Sequence, residues 1–348
     1  MTTITIAGRE IGSGSAPYVI AEMSNNHLQS PERAAELIVA AKQAGADAVK
    51  LQTYDADSLT IDSDAADFWI RGGLWGGQTL HQLYRTIGLD REHQRKLFAL
   101  GKDLGITIFS SPFDERAVDF LEELDCPAYK IASFELVDLE LIAKAASTRK
   151  PVIMSTGMAT VDEIAEAVQC ARDSGAAGVA LLHCVSGYPT PLEDANLRSI
   201  GELATRYGVP VGFSDHTLGV TAAVAAVACG ASMIEKHFTL RRADGGPDAA
   251  FSLEPEELAA LVSGCRDAWL SLGAPTFERK ASEQQNALFR RSIYVVEDVA
   301  AGDELTRTNV RSIRPGRGLS PRELPRVLGR RAKHAIPRGT ALNWDLIN

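Results

Sequence analysis

Eight short runs of apolar and β-branched residues recur between residues 18 and 238, with helix-sized segments between them. Continuous apolar runs of this length are typical of parallel strands that are buried on both faces. Eight strand–helix units in about 250 residues match a (β/α)8 TIM barrel, an α/β fold. The eight predicted strands are Tyr18–Met23, Ala48–Thr53, Ile106–Ser110, Ala128–Ala132, Val152–Ser155, Val179–Val185, Val211–Ser214 and Met233–Phe238.

The residues that flank the helical segments support this interpretation. Ser30 and Pro31 suit the N-cap and the first position of a helix, and Gly45 suits the position just beyond its end. Thr160 and Glu163 have the spacing of a capping box. The competing α/β architecture is a doubly wound open sheet, which usually carries a Gly-x-Gly-x-x-Gly motif after its first strand. The chain has no such motif there, and we therefore predict the barrel.

A polar segment with little periodicity separates the barrel region from the last part of the chain. After it, short runs near Ser292–Val296 and Val310–Arg314 predict a small, mostly β module of about 60 residues. The predicted domains are a TIM barrel over residues 1–273, a linker over 274–288 and the small β domain over 289–348.

The two predicted domains differ in the sign of their charge. Residues 282–348 contain twelve Lys and Arg against seven Asp and Glu, whereas residues 1–281 contain 24 against 38. A basic module can bind nucleic acid, but no aromatic or glycine-rich binding motif accompanies it, and we expect no nucleic-acid partner. An anionic small substrate or an acidic partner subunit explains the charge equally well.

The composition is that of an ordinary globular protein, with 45% hydrophobic and 23% charged residues. No run of about 18 apolar residues is present, so we expect no membrane span. The five cysteines are odd in number and form no Cys-x-x-Cys pair, which is typical of reduced thiols. Since no signal peptide is evident either, we expect a cytoplasmic location.

Two histidines, His216 and His237, close the last two predicted strands. The carboxyl ends of neighbouring parallel strands meet at one rim, so both imidazoles are expected there. Imidazole is the commonest metal ligand, and two at a shared rim can hold a divalent cation and leave positions open for substrate. Taken alone, the pair is equally compatible with two unrelated core or surface histidines.

Lys50 and Lys130 lie within apolar predicted strands, where a lysine is costly unless an anion pairs with it. Two such lysines near hydroxyl groups predict a phosphate-binding cradle. A single strand lysine is more often a Schiff-base nucleophile or a surface residue. Glu22 and Glu135 are candidates for orienting a hydroxyl or moving a proton, with structural salt bridges as the alternative. The other polar candidates are Gln52, Ser110, Ser133, Ser155, Ser186, Tyr188 and Ser214.

The connection from Tyr54 to about Leu89 is too long for a simple βα loop, and it contains Trp69 and Trp75. Long βα connections lie above the catalytic rim of a barrel. This segment is therefore a candidate lid or sugar platform. The alternative is a surface excursion whose tryptophans pack against another subunit.

Motifs at the strand ends occur together in one chain. They are Ala21-Glu22, Asn26-His27, Lys50–Thr53, Ser110–Phe113, Tyr129–Ser133, Ser155–Gly157, Ser214–His216 and Glu235–Phe238. In combination they resemble the sialic acid synthase family, whose members condense phosphoenolpyruvate with an amino sugar. The last part of the chain resembles the antifreeze-like (SAF) domain of that family, through Phe289–Ser292 and Arg314–Gly316.

Within the family, the chain looks most like the pseudaminic acid synthases, through Asp57–Thr60, the insertion 72–75 and Ala132–Glu135. This resemblance implies an acceptor of the 2,4-diacetamido-2,4,6-trideoxyhexose class, in the altro form, with pseudaminic acid and phosphate as products. Legionaminic acid synthases are the nearest rival. Residues 186–189 read Ser-Gly-Tyr-Pro, without the Asn typical of N-acetylneuraminic acid synthases, which disfavours N-acetylmannosamine as acceptor.

The resemblance also implies roles for individual residues. His216 and His237 would bind Mn²⁺, with Mg²⁺ or Co²⁺ as alternatives. Arg314 would reach from the SAF domain of one subunit into the barrel of the other and contact the N-acyl region of the sugar, which makes a domain-swapped homodimer the expected assembly. The residues implied to hold phosphoenolpyruvate are Lys50, Lys130, Ser133 and Ser155, and those implied to lie near the sugar are Glu22, Gln52 and Tyr188.

Overall fold

The computed structural model describes residues 2–72 and 75–348, and the chain forms two compact units, residues 1–273 and 274–348. Gly73 and Leu74, which belong to the insertion at 72–75 singled out above, lie outside the described residues. Each unit has its own apolar core, and each is described by itself below.

The first unit is a closed barrel of eight parallel strands, as predicted. An antiparallel hairpin of β1 (Thr3–Ile6) and β2 (Arg9–Gly12) precedes it. The predicted strand ends differ from the observed ones by at most two residues. The barrel strands are β3 (Tyr18–Glu22), β4 (Ala48–Thr53), β5 (Thr107–Pro112), β6 (Tyr129–Ile131), β7 (Pro151–Ser155), β8 (Gly178–Cys184), β9 (Val211–Asp215) and β10 (Met233–His237).

Helices alternate with the barrel strands, and the predicted caps are present. The side chain of Ser30 accepts a hydrogen bond from the Arg33 amide, and Thr160 forms a capping box with Glu163. Within residues 2–72 and 75–348, no helix combines the length and apolar character needed to cross a membrane. The helices are α1 (Pro31–Gln43), α2 (Ala56–Leu59), α3 (Leu80–Ile87), α4 (Arg91–Leu104), α5 (Glu115–Glu122), α6 (Leu139–Ser147), α7 (Val161–Asp173), α8 (Ser199–Tyr207), α9 (Thr221–Ala228) and α10 (Pro255–Leu272).

The β1–β2 hairpin, which the sequence analysis did not anticipate, packs against the N-terminal ends of β7 and β8. Its turn places Ala7 and Gly8 at positive φ, as a tight two-residue hairpin turn requires. Ile4 packs closely against Gly178. A β-carbon added at Gly178 would lie 2.7 Å from the Ile4 side chain. Ile4, Ile6 and Ile11 are buried in the barrel core.

The second unit is small and mostly irregular, with one antiparallel pair, β11 (Ser292–Val295) and β12 (Val310–Ile313), and a short helix, α11 (Leu324–Val327). Both predicted runs in this region form strands. A separate core that includes Ile293 and Leu342 holds the unit together.

A buried ion pair joins β9 to β10 in the first unit. The Lys236 Nζ lies 2.8 Å from Asp215 Oδ2, and both side chains are fully buried. Lys236 also donates to the Thr217 carbonyl. Removing one partner of such a pair leaves an uncompensated charge in the protein interior, which is strongly destabilising.

We predict that Asp215→Ala lowers the free energy of unfolding by about 3–5 kcal/mol, measured by urea denaturation. The control is Asp119→Ala, which removes the partner of Lys144 from a largely exposed pair and is expected to cost under about 1 kcal/mol. Equal losses in the two variants would contradict the prediction.

Candidate active site

A cavity of about 410 Å³ opens at the carboxyl ends of the barrel strands. Strand-end residues of β3, β4 and β6–β10 form its polar floor, and the connection between β4 and α4 supplies much of the rest of its wall. The residues predicted from sequence that line it are Glu22, Lys50, Gln52, Lys130, Ser133, Glu135, Ser155, Tyr188, Ser214, His216 and His237.

Three predicted residues are not part of this lining. Ser110 is buried in the barrel wall, where its Oγ lies 2.6 Å from Thr53 Oγ1. Ser186 Oγ is buried next to Gly157, so closely that a β-carbon on the glycine would collide with it. Arg314 belongs to the second unit.

The centre of the floor is a cluster of buried charges. Lys50 Nζ lies 3.0 Å from Glu235 Oε1 and 3.3 Å from Glu22 Oε2. Lys130 Nζ lies 3.9 Å from the same Glu235 oxygen and donates to Ser155 Oγ at 2.6 Å. The two ammonium groups thus flank one carboxylate and face the cavity together.

Burial and mutual attraction set the pKa values in this cluster. Burial raises the pKa of Glu22 to about 7, since Lys50 offsets it only in part. Burial would also raise the pKa of Glu235, but Lys130 and Lys50 hold it below its ordinary value. Burial lowers the pKa of Lys130 to about 8, whereas the two carboxylates outweigh burial and raise that of Lys50. Near neutral pH the cluster therefore has an excess of positive charge, which suits a bound anion.

Hydroxyl and amide donors surround the two lysines. Ser214 Oγ lies 3.1 Å from Glu235 Oε1, and Gln52 Nε2 donates to Glu22 Oε1 at 3.0 Å. Ser133 Oγ accepts from the Gly157 amide at 3.2 Å, which holds this hydroxyl at the edge of the floor. These polar groups surround the two lysines, which are the charged donors available to the oxygens of a tetrahedral anion.

The two predicted histidines lie side by side above the floor, with ring centroids 5.3 Å apart. His216 Nδ1 is 3.0 Å from the Val185 carbonyl, which it can satisfy only as a donor, so its Nε2 carries the free lone pair. Burial and the neighbouring His216 hold the pKa of His237 well below its ordinary value, which keeps this ring neutral. Its Nδ1 is buried and, among the described residues, without a hydrogen-bond partner.

This pair fits a divalent metal that takes its other ligands from elsewhere. Neutral imidazole nitrogens are suitable donors for borderline divalent ions. Within the described part of the chain, no group of three or more His, Cys, Asp and Glu side chains is placed to hold a metal. A metal at His216 and His237 would therefore be completed by substrate or water.

The connection between β4 and α4 forms an apolar roof opposite the charged floor. It includes α2 and α3, and a backbone bridge between Trp69 and Thr79 closes its central turn. Its side chains in the cavity wall are Tyr54, Leu59, Ile70, Trp75, Leu80, Leu83, Tyr84 and Ile87.

Glu135 lies at the edge of the cavity, in the segment that follows β6. Its Oε2 is buried without a partner among residues 2–72 and 75–348. Burial raises the pKa of Glu135 to about 7, although Lys130 partly opposes this shift. A carboxyl group with this pKa can both accept and donate a proton near neutral pH.

Comparison with known proteins identifies the family to which this barrel and its site belong. Residues 37–276 match the NeuB family model, and residues 290–348 match the SAF domain model. The chain belongs to the NeuB family of sialic acid synthases. The family and the fold predicted from sequence are thereby confirmed.

Several NeuB-family relatives match along almost their whole length. The chain is 42% identical over 331 residues to the pseudaminic acid synthase of Helicobacter pylori, covering 94% of this chain and 97% of that one. It is 36% identical to the N,N'-diacetyllegionaminic acid synthase of Legionella pneumophila, covering 97% and 96%. The crystal structure of an N-acetylneuraminic acid synthetase from Leptospira borgpetersenii, in complex with citrate, matches with a TM-score of 0.74 and 32% identity, covering 82% and 95%.

Glu235, Cys184 and Asp248 are among the cavity residues of this NeuB-family chain that sequence reasoning did not select. Glu235 could have been found, because the two-residue period of a strand places it on the same face as His237. Cys184 ends β8 and lies 3.8 Å from His216 Nδ1 through its sulfur, but a lone cysteine gives no specific signal. Asp248 lies 4.0 Å from His237 Nδ1 and comes from an irregular connection, where no periodicity marks it.

We predict that Glu135→Gln stabilises the folded protein increasingly as the pH rises from about 4.5 to about 7. Burial penalises the ionised carboxylate, so the penalty is absent at low pH and complete above the folded pKa of about 7. The gain at pH 8 relative to pH 4.5 should reach about 2 kcal/mol, measured by urea denaturation across that range.

The matched control is Glu140→Gln, which removes an exposed carboxylate from α6. A pH-independent difference between the Glu135 variant and the native chain would show that Glu135 does not carry this penalty.

Proposed function

We propose that this chain condenses phosphoenolpyruvate with 2,4-diacetamido-2,4,6-trideoxyaltrose and water, giving pseudaminic acid and phosphate. The observation that carries the proposal is the convergence of Lys50, Lys130, His216 and His237 on one cavity. The 42% identity to pseudaminic acid synthases over most of both chains supports the choice of acceptor.

Phosphoenolpyruvate would lie on the charged floor. Its phosphate and carboxylate oxygens need several donors, which Lys50, Lys130, Ser133 and Ser155 supply. Ser214, whose Oγ donates to Glu235 Oε1 at 3.1 Å, lines the same cavity. The excess positive charge of the cluster would balance the anion throughout the reaction.

His216 and His237 would hold a divalent metal, with Mn²⁺ favoured and Mg²⁺ or Co²⁺ as alternatives. When bound, such an ion supplies Lewis-acid polarisation of the sugar aldehyde. The hydrogen bond from His216 Nδ1 to the Val185 carbonyl fixes the tautomer and the ring orientation for this role.

The open-chain sugar would lie between the histidines and the apolar roof. Glu22, whose orientation is fixed by Gln52, and Tyr188 would bind its hydroxyl groups. The Tyr188 ring centroid lies 4.4 Å from that of His216, with the two ring planes tilted by 46°, so Tyr188 is next to the histidine that would hold the metal.

The reaction forms one C–C bond and breaks the C–O bond to phosphate. C3 of phosphoenolpyruvate forms a bond to the aldehyde carbon, and the aldehyde oxygen takes a proton. Water adds to C2, whose π electrons have moved into the new C–C bond, and loses a proton. The C2 hydroxyl then loses its proton and becomes a carbonyl as the bond between C2 and the bridging oxygen breaks, so that this oxygen leaves with phosphate. Glu135, whose pKa of about 7 suits it for both directions of transfer, would move a proton during these steps.

A second subunit would complete the active site. Arg314 of one subunit would contact the N-acyl region of the sugar in the barrel of the other, within a domain-swapped homodimer. The opposite charges of the two chain regions, basic from Ser282 onward and acidic before it, favour such docking. Synthesis of this kind would take place in the cytoplasm.

A Schiff-base pyruvate aldolase is the second candidate, because burial lowers the pKa of Lys130 to about 8. Against it, the Lys130 ammonium lies 2.6 Å from Ser155 Oγ and 3.9 Å from a carboxylate. Borohydride trapping of a pyruvate adduct on the protein would favour this candidate over the proposed condensation.

We predict that the protein turns over phosphoenolpyruvate that is labelled with ¹⁸O at its bridging oxygen. The acceptors to compare are 2,4-diacetamido-2,4,6-trideoxyaltrose, its manno counterpart and N-acetylmannosamine. The altrose compound should give the highest kcat/KM, and mass spectrometry should find the label in the released phosphate. Label retained in the sugar acid would refute C–O cleavage, and preference for N-acetylmannosamine would refute the acceptor while leaving the reaction type standing.

We predict that His216→Ala lowers metal-dependent turnover by at least about a thousandfold, because one of two protein donors for the cation is lost. Circular dichroism should show the barrel intact. The control is His93→Ala, whose ring lies outside the cavity, beside Asp90 at the start of α4. Full activity of the His216 variant, or of native protein freed of divalent ions with a chelator, would eliminate the metal assignment.

A further inference from the structure

The apolar roof carries one polar group that nothing in the described structure satisfies. Trp75 lines the cavity, and its indole Nε1 is buried without a hydrogen-bond partner in the described ranges, residues 2–72 and 75–348. Trp69, on the same connection, provides the contrast: its Nε1 donates to the Asp64 carbonyl at 3.2 Å. A buried N–H without an acceptor is costly, so an acceptor supplied by a ligand would remove that cost.

The turn that presents Trp75 is closed by the backbone. The Ile70 amide donates to the Gln78 carbonyl at 3.0 Å, and the Gly77 amide donates back to the Ile70 carbonyl at 3.0 Å. These bonds connect the backbone before and after Trp75, whose side chain lines the cavity.

Trp75 lies one aromatic ring away from the metal-binding histidines. Its ring centroid is 6.0 Å from that of Tyr188, which is in turn 4.4 Å from that of His216. A group that Trp75 contacts is therefore displaced from the aldehyde carbon of the sugar. In a 2,4-diacetamido sugar, the amide at C4 is further from C1 than the amide at C2.

We infer that Trp75 donates its indole N–H to the carbonyl oxygen of the C4 N-acyl group, and so selects a diacylated acceptor. An acetamido group matches this wall on both counts, because its carbonyl accepts the N–H and its methyl packs against apolar neighbours such as Ile70 and Leu83. A C4 hydroxyl has neither the acyl carbonyl nor the methyl group, so it would leave both parts of this wall without their partner. This inference rests on the proposed function and names a specificity-determining residue for it.

The test compares two acceptors in the full-length enzyme with phosphoenolpyruvate. One is 2,4-diacetamido-2,4,6-trideoxyaltrose, and the other is its analogue with a hydroxyl at C4. Trp75→Phe keeps an aromatic ring and removes the N–H, while Trp69→Phe is the matched control on the same connection. In the Trp75 variant the ratio of kcat/KM between the two acceptors should fall about 5- to 10-fold, mainly through a higher KM for the diacetamido sugar.

The possible outcomes separate the role of Trp75 from the proposed function. An unchanged ratio in Trp75→Phe, an equal loss with both acceptors, or an equal fall of the ratio in Trp69→Phe would overturn the role of Trp75 and leave the proposed function standing. No turnover of the diacetamido sugar by the native enzyme would overturn the proposed function, and this inference with it. An unchanged KM for phosphoenolpyruvate in the Trp75 variant would support an effect confined to the sugar.

Discussion

The burial of Lys50 between Glu22 and Glu235 is the interaction on which the active-site cavity depends. Its side chain is almost fully buried, and both carboxylates are within 3.3 Å of its ammonium group. The pairing of β3 with β4 and β10 places Glu22 directly across from both Lys50 and His237. Closure of the barrel therefore brings together the charge cluster and the pair of histidines proposed to bind a metal. The second lysine, Lys130, gives this cluster more positive than negative charge, which an anionic substrate would balance.

The cavity combines two surfaces of opposite chemistry. Strand ends, whose positions the barrel fixes, carry the charged and hydrogen-bonding groups. The connection between β4 and α4 carries aromatic and aliphatic groups and lies outside the strand framework. In the proposed function, reaction chemistry and acceptor selection thus fall to different parts of the chain. Changes in the connection can alter which sugar is accepted without moving Lys50 or His216, which is how barrel enzymes commonly diversify.

Much of the fold and part of the site could be predicted because they follow from local periodicity. Apolar runs identified all eight barrel strands, and parallel strand ends predicted that His216 and His237 would meet. The partners of the buried lysines could not be predicted in the same way. Whether Lys50 faces Glu235 or another residue depends on the stagger between strands that are distant in sequence. Asp248 and the β1–β2 hairpin depend on tertiary packing of irregular segments, for which the sequence has no periodic signal.

The β1–β2 hairpin lies against the barrel and bears on how molecules reach the cavity. It packs against β7 and β8, and apolar side chains fill the barrel interior, while the cavity lies at the carboxyl ends of the strands. A molecule that binds on the floor of the cavity would have to enter before, and leave after, a molecule that binds above it. In the proposed arrangement, with the anion on the floor and the sugar above it, the anion would have to bind first, because a sugar bound earlier would block its way.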